Sequence, residues 1–233
     1  MLKKLQSLKA KKGFTLVELI VVIAIIAVLA AILVPTMLGY VTSSRVTSAN
    51  TTAASIKNNI DGFLTTADTQ GYGMLLGSTV NQKLVITVDS AKWSITAATK
   101  ENFKSGSTIK WGTAAASKTK DDKKSDAKSA EDLLAIELAN LFPEVKNAAI
   151  IVLLNGGKCT GVAYTADANN ATDFANTEYP KILNETGTSG AMAFDSTCKW
   201  DEKTAGVSPK GYIVGTAPAI PLGSGTTSST PTT

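Results

Sequence analysis

Between Leu16 and Val34 the chain runs through 19 residues of which 18 are apolar, and the exception, Glu18, is a carboxylate close to the start. As a helix rising ~1.5 Å per residue this stretch spans ~29 Å, which matches the ~30 Å hydrocarbon thickness of a bilayer. Valine and isoleucine dominate it and would also suit a buried strand, but its length far exceeds the usual ~4 to 8 residues of one. The run is therefore read as a helix able to cross a membrane.

A secretory signal peptide also begins with positive charge and an apolar run. Here the run is too long for one, and Ala24, Ala27, Ala30 and Ala31 include no pair two apart, so no small-residue cleavage site closes it. Lipoprotein processing fails because the first cysteine is Cys159. Lys3, Lys4, Lys9, Lys11 and Lys12 precede the span and the next basic residue is Arg45, so the positive-inside rule puts the N-terminus in the cytoplasm and the bulk of the chain outside. Removing those five lysines turns the formal charge of +4 into −1 (4 − 5). The basicity thus belongs to the leader and implies no nucleic-acid surface on the rest of the chain.

A carboxylate inside a membrane helix calls for a reason. Glu18 sits in the first turn, where the helix dipole favours negative charge, and Lys11 or Lys12 lies within reach to neutralise it. The letters around it, Lys11-Lys12-Gly13-Phe14-Thr15-Leu16-Val17-Glu18, followed by the aliphatic run to Pro35, closely resemble the class III signal of type IV prepilins. The resemblance covers about residues 11–40. It implies that a membrane aspartyl peptidase cuts between Gly13 and Phe14 and methylates the new Phe14 amine. Glu18 then falls at the family's acidic fifth mature position, where it meets the Phe14 amine of a neighbouring subunit on assembly. A glycine before the cut also suits a narrow cleft, because it lacks a Cβ.

Beyond Pro35 an apolar stripe continues at three- and four-residue steps through Leu38, Val41, Ala49, Ala53, Ile56, Ile60, Phe63 and Ala67, with Arg45 in one slot. This predicts one helix over about 14–67, with a transmembrane half over 14–38. Pro35 and Gly39 weaken it at the membrane exit, and the resemblance implies that this region loses helical hydrogen bonds in a filament. A globular head is expected over 68–222, after a leader over 1–13 that is removed and before a flexible Ser/Thr-rich tail over 223–233. Strands are expected at 84–88, 93–97, 148–154 and 158–165, with a further one near 212–215, and Asn155-Gly156-Gly157 reads as a hairpin turn. The fold class is α+β, a long N-terminal helix packed on a mostly antiparallel sheet.

Residues 113–128 hold no hydrophobe larger than alanine and read as an exposed, mobile loop whose five lysines and three aspartates form a solvated face. A second helix is expected from Ser129, which can cap it, to Pro143, with Leu133, Leu134, Ile136, Leu138 and Leu141 as its apolar side. Cys159 and Cys198 are the only cysteines, and an exterior location favours a disulfide between them. The resemblance agrees, since many type IV pilins close a C-terminal loop this way; two unpaired thiols are the alternative.

The chain has no histidine, which removes the commonest general base and the Ser-His-Asp, Cys-His and His-zinc sites. Gly156-Gly157-Lys158 lacks the spacing and hydroxyl of a phosphate loop and reads as a turn. Asp121 and Asp122 are the remaining carboxylate pair. No catalytic residue, metal or cofactor is expected, and the chain reads as no enzyme. The resemblance implies a structural subunit of a type IV pilus, anchored as a single-pass precursor in the cytoplasmic membrane and then part of an extracellular filament for adhesion, motility or DNA uptake. Its implied partners are identical subunits in a homopolymer, the prepilin peptidase and methyltransferase, the pilus assembly machinery and, before assembly, the membrane. Nucleic acid enters only at the level of the filament. Within the family a minor pilin or type II secretion pseudopilin is the alternative. Outside it stands a membrane-anchored surface enzyme or receptor.

Overall fold

The computed structural model describes residues 14–105, 107–113, 116–166, 181–185, 190–195 and 213–220. The expected leader, Cys198, Tyr212 and the tail lie outside the described residues. The chain divides into two compact units, Met1–Val41 and Thr42–Thr233, and helix α1 (Leu16–Thr69) belongs to both. Its helical assignment passes through Pro35 and Gly39 without a break.

In the second unit, α1 buries Val46, Ala49, Ala53, Ile56, Ile60, Phe63, Leu64 and Ala67. Steps of three and four keep these side chains on one face. The sequence stripe is out of phase at its start, because Arg45 is exposed and Val46 takes the buried position. A guanidinium keeps its hydration by this rotation, and the valine behind it fills the space.

Five strands form an antiparallel sheet: β1 (Asn81–Asp89), β2 (Lys92–Ile95), β3 (Ala148–Asn155), β4 (Lys158–Thr165) and β7 (Gly215–Ala217), in the order β2-β1-β3-β4-β7. A separate ribbon pairs β5 (Ile182–Leu183) with β6 (Ala193–Phe194). The expected strand near 212–215 is thus displaced toward the C-terminus, while β3 and β4 start and end within a residue of expectation. The sheet is covered on both faces. Ala148, Ile150, Val152 and Leu154 of β3 join a core with the α1 stripe from Ala49 onward and with Leu134 and Leu138, whereas Ala149, Ile151 and Leu153 join a second core with Val46, Met192, Phe194, Val214 and Ile220. Burial of both faces is the reason β3 reads as an unbroken apolar run.

Helix α2 (Ala130–Leu141) is capped by Ser129, whose side chain accepts from the Asp132 N–H. The segment before it is not merely a solvated loop. Trp93 and Lys118 exchange both backbone hydrogen bonds (2.7 and 2.8 Å), and the Lys118 ammonium lies 3.4 Å from the buried Asp132 carboxylate. The edge of β2 is thereby occupied. At the opposite edge Thr216 donates its N–H to Asn50 Oδ1 of α1 at 2.7 Å. Closing an edge in this way removes a template for sheet-to-sheet association.

Candidate functional site: the N-terminal helix and its supports in the head

Thr15 precedes α1 and acts as its N-cap, because Glu18 donates its N–H to Thr15 Oγ1 (3.2 Å). In return Glu18 Oε2 accepts from both the Thr15 N–H and the Thr15 hydroxyl, each at 2.8 Å. Thr-x-x-Glu bonded in this reciprocal way is a capping box. It satisfies one otherwise orphaned donor of the first turn and holds the carboxylate beside residue 14, the position that the sequence pattern marks for a new terminus. The signal was present in the letters Thr15-Leu16-Val17-Glu18, yet a reading of Glu18 as a membrane charge overlooks it. Among the described residues only Oε2 takes part, and a carboxylate can accept from a further donor at its other oxygen.

From Phe14 to Val34 every side chain is exposed, among them Phe14, Ile20, Ile25, Ile32 and Val34. Leu16–Val34 is long and apolar enough to cross a membrane, and none of it is buried within the chain. A stretch of this kind gains by moving out of water, at ~25 cal/mol per Å² of apolar surface. The backbone of Pro35 is helical, while its side chain lies outside the described residues.

Residues 8–34 match the family model described as the prokaryotic N-terminal methylation motif. The chain carries a class III prepilin signal. This motif belongs to type IV pilins and pseudopilins, a class of structural subunits rather than enzymes, and with the apolar helix it fits a membrane-anchored precursor. No curated protein and no solved structure matches the chain. The matched residues end at Val34, ahead of the head.

Three head features hold the second half of α1 in place, and none stands out in the sequence. Asp61 of α1 accepts the Cys159 N–H at 2.7 Å while pairing with the Lys57 ammonium at 2.9 Å. A register shift between Leu153 and Leu154 pairs Leu153 with Gly161 and Leu154 with Cys159, so Cys159 and Val162 face the same core although they are three residues apart. Gly215 lies so close to α1 that a Cβ there would sit 2.0 Å from the Ala49 carbonyl carbon. An isolated glycine in a strand signals such an approach in general, but only the fold says to what.

Cys159 is buried, and desolvation first, then the negative charge of Asp61, pushes its thiol up to about 12. Among the described residues it has no disulfide partner, Cys198 being outside them. Asp121 and Asp122 do not converge on a site. Asp121 pairs with Lys120 at 2.7 Å, and Asp122 accepts the Thr119 hydroxyl and N–H at 2.7 Å each, which hold its carboxyl below the usual range. Gly156 and Gly157 form the β3–β4 turn, with φ of 50° and 91°. Among the described residues no group of three or more histidine, cysteine, aspartate or glutamate side chains is arranged to hold a metal ion.

Proposed function

We propose that this chain is the structural subunit of a type IV pilus, cut between Gly13 and Phe14, methylated on the Phe14 amine, and polymerised with identical copies through its N-terminal helix. The observation that carries the reading is the coincidence of the methylation motif with a helix whose apolar residues, 16–34, have no cover within the chain. Such a surface needs lipid before assembly and neighbouring copies afterwards. The precursor spans the cytoplasmic membrane with its N-terminus inside, and the filament stands outside the cell.

Within this reading, residues 1–13 are the leader, 14–67 the helix with its membrane half over 14–38, 68–222 the head and 223–233 the tail. Phe14, Glu18 and Pro35 act in assembly. The Glu18 carboxylate is set beside position 14 by its capping box and compensates the ammonium of a neighbour's Phe14 when both leave water. Pro35 cannot donate a backbone hydrogen bond, which makes its turn the first to open when helices repack. Cys159 and Cys198 form a disulfide outside the cell. The partners are the prepilin peptidase and methyltransferase and the pilus assembly machinery, and adhesion, motility or DNA uptake is the task of the filament.

Intact-mass and N-terminal peptide analysis of protein sheared from the cell surface tests the proposal. N-methylated Phe14 as the first residue is expected. Retention of Met1 or Leu2 would overturn it in favour of a plain membrane anchor.

A further inference from the structure

The β3–β4 turn contains the dipeptide Asn155-Gly156. In a mobile chain this pair is chemically labile, since glycine lacks the side chain that would shield its amide nitrogen from the neighbouring asparagine carbonyl. The fold puts both reacting groups to other use. Asn155 Nδ2 donates to the Ser78 carbonyl (2.7 Å) and to Asn81 Oδ1 (2.8 Å), with the Val80 carbonyl at 3.4 Å. The Gly156 N–H, whose nitrogen would be the nucleophile, donates to the Val80 carbonyl at 3.0 Å. Asn81 extends the clasp further, its Oδ1 accepting from the Met192 N–H (2.9 Å) and its Nδ2 donating to the Gly190 carbonyl (2.8 Å). One carboxamide thus ties the turn to the loop after α1 and, through Asn81, to the segment that precedes β6.

We infer that Asn155 is a deamidation site gated by the fold, closed while this clasp holds and reactive when it opens. The Gly156 nitrogen forms a bond to Asn155 Cγ, the Cγ–Nδ2 bond breaks, and the nitrogen leaves as ammonia with the amide proton. Water then opens the cyclic imide to aspartate or isoaspartate, for a net exchange of ammonia for water with no oxidation or reduction. The product cannot re-form the clasp. It replaces a donor that faces three oxygens with a carboxylate, and the repulsion releases the loop over 77–81 and the segment over 190–192. Opening is therefore recorded irreversibly in the covalent structure of the subunit.

The full-length protein in detergent micelles, incubated at mildly alkaline pH with and without denaturing urea, provides the test. Peptide mapping then measures aspartate plus isoaspartate at position 155. Conversion should be at least about tenfold slower in the folded protein than in urea, because it must await local opening. Asn81→Ala, which removes one acceptor from the clasp, should speed conversion in the folded protein and leave the urea rate unchanged. Asn155→Asp should lose hydrogen-exchange protection at the Gly156 and Met192 amides while β3 and β4 keep theirs. Equal rates in the folded protein and in urea, or no conversion in urea, would overturn the inference. So would an Asn155→Asp protein with native protection at both amides.

Discussion

Glu18 has two roles open to it, and substitution by glutamine separates them. As a capping residue it accepts two hydrogen bonds of 2.8 Å from Thr15, and losing a cap costs about 0.5–2 kcal/mol. Glutamine serves at the same position of a capping box almost as well as glutamate. As the counter-charge to a neighbour's Phe14 ammonium, Glu18 is replaceable by no neutral residue, because a buried cation left without its partner costs about 3–5 kcal/mol. At ~1.4 kcal/mol per tenfold, that lowers each subunit's association constant by a factor on the order of 10² to 10³ or more. Glu18→Gln and Glu18→Val should therefore both abolish filaments to a similar degree while leaving membrane insertion intact, since the apolar run and the lysine asymmetry are unchanged. Thr15→Ala, which disrupts the cap and keeps the charge, should cost far less. Expression with the cognate assembly machinery, followed by shearing and blotting of the sheared and membrane fractions, reads the outcome. Normal filament yield from Glu18→Gln alongside failure of Glu18→Val would refute the charge argument and leave Glu18 as a helix cap.

Non-reducing peptide mapping of the exported protein should recover Cys159 linked to Cys198; two alkylatable thiols in fresh material would contradict the bridge. In reduced protein the Cys159 thiol, about 12 when folded against an ordinary 9.0, makes the unfolded chain the better acid. Stability should thus be unaffected below pH ~9 and fall as pH rises toward ~12, and the oxidised protein measured by thermal melting should lack that contribution. Gly215→Ala forces a methyl group to within 2.0 Å of the Ala49 backbone and should destabilise the head by about 1–3 kcal/mol or more, read as a lower denaturant midpoint. Glu131→Ala leaves the Ala98 and Gly112 N–H groups, now bonded to Glu131 Oε1 at 3.0 and 2.8 Å, without acceptors and should cost at least about 2 kcal/mol, while exposed Lys123→Ala should be neutral in the same melt.

What the sequence determined by itself is whatever rests on neighbours a few residues apart. The Thr15 to Glu18 cap, the Ser129 cap of α2 and the glycine turn of the β3–β4 hairpin follow from spacings of four residues or fewer, and the membrane-length run and β3 follow from unbroken apolar stretches. The turn fixes the pairing of Asn155 with Lys158 and of Leu154 with Cys159, but the shift that follows at Leu153 is not legible in it. The rest depended on partners that no local pattern specifies. Cys159 meets Asp61 across 98 positions of chain, and Thr216 meets Asn50 across 166. Whether Arg45 or Val46 faced inward turned on what the head offered α1, and the burial of Glu131 turned on two loops whose amides needed an acceptor. Charged and small polar residues are ambiguous in a sequence because their cost depends on desolvation and pairing, and both are properties of the packed structure. Tertiary structure settled those positions by bringing the donors to them.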